Sequence, residues 1–209
     1  MSVREALSSA AADFYQQSWR LAILNTVLGL MLVAVVLAVF AARPAVVLAV
    51  LVGPFAAAVM HCAVTLAETE ELRLAEVLNG LRRCWRRGLA LAALLVAGTV
   101  LGFVAVPFYA RMGVWGWPLA AISAYLLAAF LVFQLALWPL AVARERSFGE
   151  LLREAARAML KRPFGFAGLA IALLIVNAVG FVAAVLPFLT LTIAFSFLAS
   201  AHFSLAREA

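Results

Sequence analysis

Apolar residues run almost without interruption over 21 to 42, 45 to 67, 88 to 108, 118 to 143 and 164 to 206, and polar residues gather between these runs. A helix needs roughly 20 residues to cross the hydrocarbon core of a bilayer, so each of the first four runs predicts one span. The last is long enough for two, with Leu186-Pro187 placing the turn of a hairpin. The pattern predicts an all-α, polytopic membrane bundle of about six transmembrane helices.

The segments between the runs keep a helical period of their own. Val3, Leu7, Ala10 and Phe14 recur at helical spacing near the N-terminus, as do Leu74, Leu78, Leu81 and Trp85, and then Phe148, Leu152, Ala155 and Met159. Each set predicts an amphipathic helix lying at the membrane interface, the first followed by Trp19 at headgroup level. One interfacial helix and one membrane hairpin would then alternate three times, dividing a single integral membrane domain into repeats 1-67, 68-143 and 144-209. Aligned this way, Glu5 superposes with Glu76 and Glu150, Leu7 with Leu78 and Leu152, and Gly102-Phe103-Val104-Ala105 matches Gly180-Phe181-Val182-Ala183. Helices rich in Ala, Leu and Val also align by chance, so repeat and coincidence stand side by side.

Proline and glycine mark the irregular points. Pro44, Pro107, Pro118 and Pro187 fall at span ends, whereas Gly53-Pro54 and Pro139 interrupt apolar runs, and the second span is expected to break at Gly53. Gly98 and Gly102 form a GxxxG pair in the third span, a close-packing signal that also suits a homo-oligomer. Phe108, Tyr109, Trp115 and Trp117 surround Arg111 as an interfacial aromatic belt.

Charge fixes the expected orientation. With the N-terminus inside, Arg43 and Arg111 are the only outer residues among the 16 basic ones, and all 10 acidic residues fall inside. The positive-inside rule therefore predicts a multi-pass protein of the cytoplasmic (inner) membrane with both termini cytoplasmic. Composition agrees, since 67% hydrophobic and 12% charged residues, with a mean hydropathy of +1.11, leave too little polar surface to wrap a soluble globule. A net charge of +6 and a pI near 10.3 do not indicate nucleic acid, because the basic residues flank apolar spans. Cys62 and Cys84 sit near the predicted cytoplasmic face and read as free thiols. The first run is too long, and Glu5 and Asp13 before it too acidic, for an export signal, so it reads as a retained span.

Chemistry is sparse. No Asp, Glu, Lys or Arg lies mid-span, which argues against a proton relay, a voltage sensor or an ion-coupled carboxylate site. Asn25, His61, Gln134 and Asn177 are the candidate ligand-facing polar residues, beside Gly53-Pro54; their ordinary role would be interhelical hydrogen bonding worth about 0.6 to 2 kcal/mol each. Two histidines and two cysteines in separate segments do not make a metal site. A serine hydrolase would need a nucleophile elbow and an acid–histidine partnership, neither of which the sequence offers. No Walker or dinucleotide motif occurs, so no cofactor is expected. Glu154-Ala155-Ala156 resembles the docking loop of binding-protein-dependent permeases, but Leu160 stands where that motif has glycine. Arg82, Arg83, Arg86 and Arg87, with Arg153, Arg157, Lys161 and Arg162, are the candidate contacts for anionic lipid headgroups or a partner. The plainer account is that they only fix topology and snorkel to headgroups.

Trp19 with Asn25, Gly53-Pro54-Phe55-Ala56-Ala57-Ala58, the stretch from Phe133 to Ser147 and the basic helix ending in Lys161-Arg162-Pro163 together resemble the YesL-like family of uncharacterised bacterial integral membrane proteins. The resemblance spans nearly the whole chain. It implies a compact helical bundle in the cytoplasmic membrane, associated with carbohydrate uptake systems, and supplies no catalytic residues. The unusually apolar stretch from Ala41 to Val52 departs from the family pattern where the second span begins. The expected function is a non-enzymatic accessory or scaffold component of solute transport, with transporter subunits as partners. A small permease for a neutral solute is the runner-up, and a membrane-embedded enzyme ranks last.

Overall fold

Long stretches of Ala, Leu, Val and Ile give backbone groups no partner except one another, and in lipid that requirement selects helices. The computed structural model describes residues 2–69, 75–183 and 192–205. These form α1 (Val3–Gln16), α2 (Ser18–Ala41), a 3₁₀ helix (Arg43–Leu48), α3 (Ala49–Thr69), α4 (Ala75–Ala110), α5 (Trp117–Ala143), α6 (Phe148–Lys161), α7 (Pro163–Ala183) and α8 (Ile193–Leu205). Five helical segments are long and apolar enough to cross a membrane: Trp19–Ala41, Arg43–Thr69, Glu76–Ala110, Trp117–Ala143 and Pro163–Gly180. α8 is apolar and shorter, and the Leu186-Pro187 turn, Arg73, Leu74 and Arg207 lie outside the described residues. Leu101, Phe103, Ile171 and Leu174 stay more than half exposed, an apolar surface that suits lipid as solvent. The chain is a multi-pass helical membrane protein.

The first and third interfacial segments form separate helices, and each starts at a side-chain cap. Ser2 accepts from the backbone of Glu5 while Glu5 Oε2 accepts from Ser2 N at 2.8 Å, and Ser147 with Glu150 repeats the arrangement at 3.0 Å. These are capping boxes, which satisfy helix-end donors. α1 and α6 are both 14 residues long and both stop one residue before the next helix, at Gln17 and Arg162.

The middle segment differs from expectation. It is no separate interfacial helix but the leading part of α4, whose 36 residues extend about 54 Å at 1.5 Å per residue. In the alignment above, Arg73 stands where the other two units have the capping serine, and Gly88 stands at the break. Gly88 does not break the helix, because it sits pressed against Gly53 of α3. The expected break at Gly53 is likewise absent. α3 runs unbroken through Pro54, and the irregular backbone lies earlier, in the 3₁₀ helix. Pro54 is close enough to the start of α3 that its missing N–H removes only an early ladder bond, and Gly53 serves close approach rather than bending.

Gly98 and Gly102 also pack within the chain, Gly98 against the ring of Phe130 and Gly102 against Leu127, both on α5. The core gathers toward the charged end, where α3 (Ala57, Met60, Ala63), α5 (Ala136, Leu137, Leu140) and α8 (Leu198, Ala199, Ala201) are buried together. Toward the Trp115 end α2, α4 and α5 keep many exposed apolar side chains, among them Leu37, Phe103 and Tyr125.

Candidate functional site

Two places combine space with chemistry. The first is the charged end. Arg83 of α4 reaches across to Glu145, with its Nε 3.1 Å from Glu145 Oε1. Arg87 donates from Nη1 to the carbonyl oxygens of Ala141 at 3.1 Å and Arg144 at 2.8 Å, filling acceptors left open at the end of α5. Arg144 and Arg146 pair with Glu154 of α6. Glu150 is held below the usual carboxylate range, first by the Ser147 hydroxyl and then by the Ser147 N–H. A cavity of about 550 Å³ opens here, bordered by Leu140, Arg144, Arg153, Arg157, Lys161 and Ser204.

Leu151 and Ala155 are the buried residues of α6, while Arg153, Arg157 and Lys161, at intervals of four, are exposed. Spacing of four places side chains on one helix face, so α6 presents a basic face, distinct from its packed one, to the mouth of this cavity. Of the eight basic candidates, Arg83 and Arg87 are therefore engaged with α5 and its following turn. Arg82 and Arg86 are exposed, the latter stacked over Trp85 at 5.2 Å from the ring centroid. Arg162 is half-buried at the α6–α7 junction.

The second place lies among the helices and opens to one side. A cavity of about 330 Å³ lies between α2, α3, α4, α5 and α8, walled by Leu28, Gly53, Met60, Trp138 and Phe197, with Gln134 on its border. Trp138 and Phe197 stack with centroids 6.5 Å apart. Gln134 is buried, and neither Oε1 nor Nε2 finds a hydrogen-bond partner among the described residues.

The structure does not bring the other three polar candidates to that cavity. Asn25 is fully buried and accepts from Ala194 N at 2.8 Å, which satisfies an open donor in the first turn of α8. Asn177 donates to Leu173 O and to Ser196 Oγ, at 2.7 and 2.8 Å, and so ties α7 to α8. His61 lies in the α3–α4 contact, its Nε2 3.9 Å from Glu76 Oε2 and its ring beneath Gly80.

One pairing runs against the sequence reading. Asp13 of α1 and His202 of α8 meet at 2.7 Å, an acid–histidine partnership the separated segments did not reveal. The nearby Phe14–Phe195 edge contact, at 6.4 Å between centroids, belongs to the same α1–α8 seam. The His202 ring meets the Asp13 carboxylate rather than a hydroxyl. Among the described residues no three His, Cys, Asp or Glu side chains cluster as metal ligands. The Ser-x-x-Glu spacing at Ser2 and Ser147 was the readable signal for the two separate helices, whereas nothing local signals the Asp13–His202 pair.

No known protein family, no curated protein and no solved structure matches the chain.

Proposed function

We propose that this chain is a non-enzymatic accessory or scaffold protein of the cytoplasmic membrane, docking through its basic end on an anionic partner. The observation that supports it is the division of α6, whose Leu151–Ala155 face packs inward while Arg153, Arg157 and Lys161 stand exposed together. Basic residues beside a membrane attract anionic headgroups by about 1 kcal/mol each, and an acidic protein surface offers the same complement. Arg82 and Arg86 extend the surface, and Trp85 under Arg86 adds an interfacial anchor. The positive-inside rule places this end, and both termini, in the cytoplasm. The YesL-like resemblance suggests a carbohydrate uptake system as the partner.

The permease reading has less support, because Asn25 and Asn177 are committed to α8 and the cavity among the helices is walled almost entirely by apolar groups. Purification of the tagged protein in mild detergent tests the preferred role. Co-eluting transporter subunits, lost when Arg153, Arg157 and Lys161 are replaced by Glu, are the expected result. Isolation of the chain alone, with neutral-solute uptake in proteoliposomes that Gln134→Ala abolishes, would overturn it in favour of the permease.

A further inference from the structure

Gln134 presents a problem that packing alone does not solve. The residue is 6% exposed, borders the cavity among the helices and leaves both side-chain amide atoms unpaired among the described residues. A buried amide without a partner is costly, and in hydrocarbon no solvent compensates. Gln134 lies about 14 Å along α5 from Ala143 at 1.5 Å per residue, close to half the thickness of a hydrocarbon core of about 30 Å. Leu or Met would fill the same position at no such cost.

The cavity beside it offers far more space than one water needs. One water occupies about 30 Å³ and could answer the amide, but the rest of the roughly 330 Å³ space is walled by Leu, Met, Phe and Trp side chains that would keep it dry. The two serines on its border add no donor, since Ser196 Oγ donates to Thr192 O at 2.7 Å and Ser200 Oγ donates to Ser196 O at 2.8 Å. The Gln134 amide on its border is buried and unpaired among the described residues, with one acceptor and a donor pair to offer. Leu32, which also borders the cavity, is 37% exposed on the outer face of α2, and marks a lateral approach from lipid.

We propose that this cavity binds a neutral single-chain amphiphile, an apolar body carrying one donor–acceptor group such as a hydroxyl, with the Gln134 amide as its polar anchor. Each part of the site selects a property. The aromatic wall of Trp138 and Phe197 takes an apolar chain, and the absence of lining charges among the described residues disfavours an ionised headgroup. The depth of Gln134 favours a polar group small enough to enter hydrocarbon, and its unpaired donor and acceptor favour a hydroxyl over an alkyl end.

Trp138 supplies the reporter. A bromine-labelled long-chain alcohol and the bromoalkane of equal length are titrated into bilayer nanodiscs holding the full chain. The Trp138 signal is taken as the difference between the native protein and Trp138→Phe. The alcohol should quench saturably at a mole fraction about tenfold below that of the alkane, the factor expected for one added hydrogen bond. Gln134→Leu, or Gln134→Met if the first variant folds poorly, should erase the tenfold difference, and Ala56→Leu, which fills space at the cavity wall, should weaken both probes. Equal quenching by alcohol and alkane in the native protein, or an alcohol curve unmoved by either Gln134 variant, would mean that any acyl chain or a single water occupies the space, and would overturn the proposal.

Discussion

A β-carbon on Gly88 would lie 2.6 Å from the carbonyl oxygen of Gly53 and 2.9 Å from the β-carbon of Ala57, so α3 and α4 cross backbone against backbone at this point. Both neighbours are main chain or a short stub on the buried side of a helix, and neither can rotate away. Gly88→Val should therefore destabilise the protein by about 2 to 3 kcal/mol through overpacking. Gly149 is the control, since a β-carbon there meets nothing within 4 Å and the residue sits in the first turn of α6. Gly149→Ala should be neutral or stabilising by about 0.5 to 1 kcal/mol. Unfolding titrations of the two variants in the same detergent check the contrast, and similar losses at both sites would refute the crossing.

The spans were legible because lipid leaves the sequence few alternatives, and a run such as 118 to 143 can be little but a helix of that length. Where one helix ended and the next began was harder to see. The capping serines at 2 and 147 mark where α1 and α6 start. Gly88, which aligns with the breaks at Gln17 and Arg162, lies within a continuous helix, and a glycine reads alike as a breaker and as a close-packing residue until its neighbour is known. The interior polar residues were legible as a set but not in their roles. Asn25 and Ala194 are far apart in sequence, and only the packing of α2 against α8 makes one the cap of the other. Gln134 differs from its companions by what it does not touch, a property no spacing encodes.

Asp13 and His202 hold α1 to α8, with side chains only 17% and 14% exposed. The hydrogen bond is partly withdrawn from water, and the Phe14–Phe195 contact beside it fixes the same seam. A double-mutant cycle of Asp13→Asn with His202→Gln should give a coupling of about 1 to 2 kcal/mol, read from thermal unfolding in detergent. Additive single effects would show that the seam is held by its apolar contacts alone.

The Ser147–Glu150 box makes the start of α6 sensitive to acid. Because the folded carboxyl titrates below its ordinary value, its contribution is present above the unfolded pKa of about 4.3 and is lost as pH falls through the lower, folded one. Protection factors of the amides in the first turn of α6, that is, the intrinsic exchange rate divided by the observed one at each pH, should fall as pH drops through that acid window and stay level above it. Ser147→Ala, which removes the largest cause of the shift, should return the Glu150 titration toward the ordinary carboxylate range, as followed by NMR. A Glu150 titration unchanged by Ser147→Ala would contradict this assignment.

Arg87 and Arg86 are neighbours in sequence with opposite duties. Arg87 is half-buried and bridges the Ala141 and Arg144 carbonyls, whereas Arg86 is exposed and stacked over Trp85. Those carbonyls belong to the end of α5, where no further turn of helix supplies donors. Arg87→Ala should therefore cost about 1 to 2 kcal/mol, the loss of two charge-assisted bonds partly offset by water at an open site. Arg87→Lys should recover only part of this: both bonds leave the one nitrogen Nη1, and an ammonium on a shorter, more flexible stem must give up more freedom to reach the same two acceptors. Arg86→Ala should change stability by less than about 0.5 kcal/mol. Parallel unfolding of the three variants decides the matter: equal costs at 86 and 87 would mean that both arginines serve only the membrane surface, and a graded series of Ala, Lys and native at 87 would identify Arg87 as the clasp between α4 and α5.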